Sequence, residues 1–94
     1  MYALAFDMDL ASLRQHFRKV SPNNAYTEIR KVLLARGFEW RQGSLYTLQD
    51  ENMGTLFLAV QDLKALPWFP KSVRDIRAFR VEQWSDLTPI VKAL

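Results

Sequence analysis

The residues of this 94-residue sequence that could do chemistry are an aspartate near the start, a glycine-serine turn and a basic cluster. Asp7 follows a short apolar run, where the chain turns towards a helix. A carboxylate there could bind a hard divalent cation such as Mg²⁺, or exchange a proton with a hydroxyl. The simpler alternative is that Asp7 caps the next helix, because acids are preferred N-caps, although Asp9 competes for that role.

Gly43 and Ser44 form the second candidate. A turn that exposes successive amides makes an anion-binding concavity, so this pair could offer a backbone N–H and a hydroxyl to a phosphate. The alternative is an ordinary tight turn, which by itself accounts for a glycine followed by a serine.

The third candidate is a basic cluster interleaved with aromatic residues. It could neutralise phosphates and stack bases. The alternative is a solvated strand face, on which Arg74 and Asp75 form an exposed ion pair worth about 0–1 kcal/mol. The basic residues of the cluster are Lys71, Arg74, Arg77 and Arg80.

Other chemistries lack their residues. The sequence has no Cys, which excludes disulfides, thiol nucleophiles and Cys-based zinc sites and suits a reducing cytoplasm. His16 is the only histidine, so a zinc site or a Ser-His-Asp triad is hard to assemble, and surface or interface packing is the better interpretation. The N-terminal run has neither the pattern of a signal peptide nor that of a membrane span. The net charge of +3 permits a polyanionic partner without requiring one.

Periodicity predicts the elements that position the three candidates. Helices are indicated by apolar spacing and caps, and strands by alternation around the Gln42-Gly43 turn. The predicted strands are Tyr2 to Phe6, Phe38 to Gln42, Ser44 to Gln49 and Asp75 to Trp84. The predicted helices are an Asp9-capped helix through Val20, an Asn24-capped helix ended by Gly37, an Asn52-capped helix stopped by Pro67, and a short terminal helix after Ser85 and Asp86. An apolar connector is predicted at Trp68 to Pro70.

This order predicts an α+β fold in one domain over residues 1–94. It is a ferredoxin-like βαββαβ sandwich with an antiparallel sheet, an interrupted first helix and a short C-terminal helix. Right-handed crossovers place strand three between strands one and two, with strand four beside strand one. Asp7, Gly43-Ser44 and the segment Lys71 to Arg77 should therefore converge. A domain this small also gains from added apolar contact, which favours a homodimer.

Three segments resemble the virulence-associated protein D (VapD) family, in the same order and over nearly the whole chain: MYALAFDMD at 1–9, GFEWRQGSLY at 37–46 and WFPKSVRDIRAFRVEQWSDLT at 68–88. That family in turn resembles the small nucleases of CRISPR adaptation. The resemblance implies a ferredoxin-like homodimer with endoribonuclease activity on RNA, often as the toxin of a toxin–antitoxin pair with a protein antitoxin.

By the same resemblance, Asp7 takes the place of a catalytic or metal-associated aspartate. Ser44 becomes a candidate for phosphate contact or proton handling, and the RNA backbone would be bound by Gly43, Lys71, Arg74 and Arg77. An Mg²⁺ site at Asp7 would need Asp9, Asp75 or a second subunit's Asp7 to complete it. The alternative is a non-catalytic homodimeric module that binds RNA or an antitoxin, for which the basic strand matters and Asp7 does not.

Overall fold

The structure is a computed structural model that describes residues 1–17 and 22–93. The strands and helices follow one another in the predicted order, with two helices in place of one after the first strand and a short helix near the C-terminus. The strands are β1 (Tyr2–Met8), β2 (Glu39–Gln42), β3 (Leu45–Leu48) and β4 (Val73–Arg80). The helices are α1 (Leu10–His16), α2 (Pro22–Ala35), α3 (Met53–Lys64), α4 (Phe69–Ser72) and α5 (Thr88–Lys92).

The strands form one sheet in the order β2-β3-β1-β4, and each neighbouring pair is antiparallel. β1 and β2 therefore run in the same direction with β3 between them, which is the predicted ferredoxin-like topology. The register places Leu4 opposite Tyr46 of β3, and Asp7 opposite Asp75 of β4. The α+β fold class inferred from the sequence is confirmed.

The two faces of the sheet differ because side chains alternate along each strand. Leu4, Phe6 and Met8 of β1 belong to the buried core, together with Leu13 of α1 and Leu63 of α3. The helices therefore cover this face. The opposite face, called the open face below, carries Asp7 and its cross-strand neighbours, because residues directly opposite each other share a face.

The ends of α2 show where sequence reasoning succeeds and fails. Gly37 follows the helix at a φ of +91°, and its N–H donates to the carbonyl of Leu34, as predicted for a left-handed C′ position. The prediction that Asn24 caps this helix is wrong, because α2 begins at Pro22, a residue favoured in the first turn. Val20 and Ser21 lie outside the described residues.

The fourth strand both begins and ends earlier in the sequence than predicted. It runs from Val73 to Arg80 rather than from Asp75 to Trp84. Val73 is opposite Met8, and Arg80 is opposite Tyr2, the first residue of β1. Beyond Arg80, the N–H of Val81 still donates to the carbonyl of Met1, and there the neighbouring strand ends. Strand β4 therefore ends level with Tyr2, the residue at which its partner strand begins.

The predicted apolar connector contains a one-turn helix, α4. Trp68 and Phe69 are buried, and the Trp68 ring packs edge-on against Phe17 with ring centroids 4.9 Å apart. Pro70 lies in the first turn, where its missing N–H costs no helical hydrogen bond. This connector therefore anchors β4 to the core just before the strand begins.

An ion pair joins α2 to α3. The Arg36 Nε lies 2.6 Å from Asp62 Oδ2, and its Nη2 lies 3.2 Å from Asp62 Oδ1. The hydrogen bond from Arg36 holds the pKa of Asp62 below its ordinary value of 3.8, against the opposing effect of desolvation. The pair therefore stabilises the packing of the two helices while Asp62 is ionised.

We expect Asp62→Asn to lower the melting temperature at neutral pH, by an amount that shrinks on acidification. The carboxyl pKa is lower in the folded than in the unfolded chain, so its stabilisation is present above the ordinary pKa and lost as pH falls through the lowered one. Thermal melts of both proteins from about pH 7 to about pH 2 measure this. Glu82→Gln, at an exposed residue beyond β4, is the control. A pH-independent difference would contradict the prediction.

Candidate active site

Asp7 lies at the exposed end of β1, and it does not cap the following helix. The N-cap of α1 is Asp9, whose carboxylate accepts hydrogen bonds from the Ala11 N–H at 3.2 Å and the Ser12 hydroxyl at 3.0 Å. The Ser12 hydroxyl is the main cause that lowers the pKa of Asp9. The capping alternative for Asp7 is therefore wrong, and its side chain, 64% exposed, is available for other contacts.

Arg74 lies beside both acids. Its Nη1 is 3.6 Å from Asp7 Oδ2, and its Nη2 is 3.9 Å from Asp9 Oδ1. The three side chains are all well exposed, and exposed ion pairs add little stability. The arrangement is better explained as a carboxylate and a guanidinium that both remain accessible to a bound molecule.

A second acid and arginine continue this cluster across the open face. Asp75 is opposite Asp7 in the β1–β4 register, and the Arg77 Nε lies 3.0 Å from Asp75 Oδ2. The predicted Arg74–Asp75 ion pair is therefore not formed. Arg74 lies beside Asp7 instead, and Asp75 pairs with Arg77. Arg77 is 77% exposed, which leaves most of its guanidinium free for an anion.

The Gly43-Ser44 turn borders the same end of β1, as predicted. The N–H of Phe6, the residue before Asp7, donates to the carbonyl of Ser44 at 3.2 Å. Gly43 has a φ of +47°, a conformation that side chains with a Cβ rarely adopt, so the tight-turn explanation accounts for the glycine itself. A phosphate contact from Gly43 or Ser44 remains a prediction.

Lys71 lies on α4, the helix that comes directly before β4. The residue after it, Ser72, is buried and accepts the Asp9 N–H through its carbonyl at 2.8 Å, which holds α4 against the start of α1. Lys71 lines a depression of about 120 Å³ with His16 and Trp68. The structure therefore groups the side chains of Asp7, Arg74, Asp75 and Arg77, whereas Ser44 reaches this end of β1 through its carbonyl and Lys71 lies to one side.

The carboxylates of one chain suit a water-rich cation site better than an enclosed one. Across residues 1–17 and 22–93, no three His, Cys, Asp or Glu side chains come close enough to hold a metal ion. Asp7 and Asp75 face each other, but each lies beside an arginine. Mg²⁺ commonly keeps several waters and takes only one or two carboxylates, so these two oxygen donors fit that ion and no more demanding metal.

Two tryptophans near the turn were not predicted as site residues. Trp40 of β2 is 46% exposed and Trp84, beyond β4, is 36% exposed. The Arg30 guanidinium lies 4.0 Å from the Trp40 ring centroid, and that of Arg41 lies 5.4 Å from the Trp84 centroid. Sequence alternation treats both tryptophans as strand residues. Both residues line one groove, and Trp84 reaches it through the path of the chain after Arg80.

Fold and site together define a class: a ferredoxin-like α+β protein with an exposed acid–arginine cluster at the end of its first strand. No family model matches the chain, but full-length relatives do. A protein named Endoribonuclease VapD from Dichelobacter nodosus is 53% identical over 92 residues, which is 98% of each chain. An Endoribonuclease VapD homolog from Neisseria gonorrhoeae is 55% identical, covering 99% of this chain and 100% of the relative. The chain belongs to the VapD family.

A more distant relative, Endoribonuclease VapD of Helicobacter pylori, is 44% identical over 99% of this chain and 100% of its own length. The resemblance read from the three sequence segments is thereby confirmed. In the described part of the chain, none of the helices has both the length and the apolar character needed to cross a membrane.

Proposed function

We propose that this protein is an endoribonuclease that cleaves RNA phosphodiester bonds at the exposed end of β1. The observation that carries the proposal is the position of Asp7, which is relieved of helix capping by Asp9 and lies 3.6 Å from Arg74. A carboxylate beside a guanidinium combines a proton acceptor with a phosphate-binding group. The endoribonuclease names of the full-length relatives support the same activity.

In the proposed reaction, Asp7 accepts the proton of the attacking hydroxyl or water. The new bond to phosphorus forms as the bond to the leaving oxygen breaks, and that oxygen leaves with the electron pair of the broken bond and takes a proton from water. Arg74 and Arg77 bind phosphate oxygens, on which negative charge accumulates in the transition state. The Ser44 hydroxyl and the Gly43 amide would contact the same phosphate, and Lys71 a neighbouring one.

Magnesium is proposed as the cation that assists this site. In that case Asp7 would be a metal ligand instead of the proton acceptor. Asp7, with Asp75 or with Asp7 of a second subunit, would hold the ion through carboxylate oxygens, with water completing its shell. A bound Mg²⁺ would supply positive charge to the phosphate oxygens.

We also propose that the protein acts as a homodimer in the cytoplasm, as the toxin of a toxin–antitoxin pair. Exposed apolar side chains support a further contact: Phe79 on the open face is 48% exposed, and Ile90 of α5 is 73% exposed. A two-fold contact through the open face would bring two copies of Asp7 towards each other. Direct contact with a protein antitoxin at this face would block the site.

The test is incubation of highly purified protein with labelled single-stranded RNA, with Mg²⁺ and separately with a chelator. Cleavage with Mg²⁺ supports the nuclease, and its loss in chelator supports the cation. Salt-dependent binding of intact RNA without cleavage in either condition would support the alternative, a non-catalytic RNA-binding module. Sedimentation of the same preparation measures the oligomeric state.

We expect Arg77→Ala to weaken RNA binding and to flatten its salt dependence. Loss of one phosphate contact to single-stranded RNA reduces the slope of log K against log salt by about 0.7. Binding is measured by titration at several salt concentrations, with Asp7→Asn as the parent so that the RNA stays intact. Lys64→Ala, an equal charge change at an exposed residue on α3, is the control and should leave the slope unchanged. Equal slopes for both variants would contradict the assignment of Arg77.

A further inference from the structure

A groove of about 880 Å³ lies between β2 and the C-terminal segment, defined here as residues 81–93. Trp40 lines it from the strand and Trp84 from the segment, with Arg41 and Lys92 among the residues around them. This volume is within the range typical of small-molecule sites, about 300–1,000 Å³. The groove lies outside the acid–arginine cluster, and the proposed reaction does not use its residues.

Both tryptophans are held in place while remaining partly open to solvent. The Trp40 indole N–H donates to the Gly43 carbonyl at 2.9 Å, and Arg30 lies over the ring. Trp84 lies beside Arg41, which is itself fixed by the Thr47 hydroxyl, 2.7 Å from its Nε. Fixed, exposed aromatic rings next to arginines are the groups on which unpaired nucleobases stack.

The charges around the groove leave Lys92 as the cation that a phosphate could approach. Arg41 is paired with Glu39, whose Oε2 lies 3.0 Å from its Nη2, and Asp86 is the carboxylate among the lining residues. That carboxylate already accepts the backbone N–H of Thr88 at 2.9 Å. A phosphate backbone passing the groove could pair with Lys92, whereas an apolar surface would leave Lys92 to be desolvated without compensation.

The position of the groove connects it to the acid–arginine cluster. The Trp40 indole N–H donates to the Gly43 carbonyl. The carbonyl of the next residue, Ser44, accepts the N–H of Phe6, which precedes Asp7. β2 lies two strands away from β1, a distance of about 10 Å at the usual strand spacing. One extended RNA strand could therefore occupy both places, with a phosphate at Asp7 and a neighbouring base in the groove.

We infer that the groove is a stacking subsite for an unpaired nucleobase of the RNA substrate, formed by Trp84 and Trp40. The inference rests on the proposed function. It adds a preference for single-stranded over paired RNA, because a base can enter the groove only when it is unstacked from its own helix.

The test measures binding of a labelled single-stranded RNA by fluorescence anisotropy, again with Asp7→Asn as the parent. Trp84→Ala should raise the dissociation constant about fivefold to a hundredfold, the usual effect of removing one base-stacking aromatic. Its salt slope should stay that of the parent, because no phosphate contact is lost. Trp84→Phe keeps a stacking ring and should recover most of the affinity. Phe57→Ala removes an exposed aromatic from α3 and should change nothing.

Three results would overturn the subsite. If the wild type cuts RNA and Trp84→Ala binds within about twofold of its parent, the groove holds no base and the proposed function stands. If Trp84→Ala falls from dimer to monomer in sedimentation as it loses affinity, the groove is a contact between two copies. If the wild type neither binds nor cuts RNA, the proposed function fails and the subsite fails with it.

Discussion

Replacing Asp7 with asparagine is expected to lower the rate of RNA cleavage by about two to four orders of magnitude. Asparagine has nearly the same shape but cannot accept a proton from the attacking group. The fold should survive, because the cap of α1 is provided by Asp9 and the Asp7 side chain is exposed. The measurement is the initial rate on labelled single-stranded RNA for two preparations with equal circular dichroism spectra.

The matched control is Glu82→Gln. Glu82 is an exposed acid just beyond Arg80, which pairs with Tyr2 at the opposite end of β1 from Asp7. Its loss changes the net charge of the protein by the same amount, so it isolates the effect of position, and we expect cleavage close to that of the wild type. Equal rates for wild type and Asp7→Asn would mean that a contaminating nuclease or a different residue cuts the RNA.

The largest effect on stability is expected from Leu63→Ala, a loss of about 2–5 kcal/mol in the free energy of unfolding. Leu63 is fully buried between α3 and the rest of the core, so truncation removes apolar contact and leaves a cavity. A domain of this size has only about 5–15 kcal/mol in total. Urea denaturation followed by circular dichroism measures the change as a lower midpoint of unfolding.

Leu58→Ala provides the comparison within the same helix. Leu58 is 48% exposed, so its truncation removes little buried surface and should cost far less than truncation of Leu63. Both substitutions have the same effect on intrinsic helix propensity, which cancels from the difference. Similar losses for the two variants would show that α3 packs on a different face from the one described.

Much of the fold could be predicted because its signals are local. Apolar spacing, the Gly43 turn and the cap at Asn52 each depend on a few neighbouring residues, and the structure confirms them. The end of β4 could not be predicted in this way. Its alternation continues to Trp84, but the strand stops at Arg80, which pairs with Tyr2, the first residue of β1. Pairing between distant segments decides such boundaries, and no local pattern records it.

The sequence predicted where the candidate site lies but not which acid pairs with which arginine. The topology alone brings Asp7, the turn and the basic strand to one end of the sheet. The Asp9 cap of α1 was predicted and is confirmed, but the Arg74–Asp7 and Arg77–Asp75 pairs were not, because they depend on how β4 is placed beside β1. The approach of Trp84 to Arg41 depends on the route of the C-terminal segment, whose residues carry no periodic signal for it.

The register that places Asp7 opposite Asp75 also has a thermodynamic consequence. Like charges directly across a strand pair oppose sheet formation, but each of these acids lies beside its own guanidinium, Arg74 for Asp7 and Arg77 for Asp75. The two arginines therefore make this register tolerable, so removing either one would leave two carboxylates facing each other with less charge compensation.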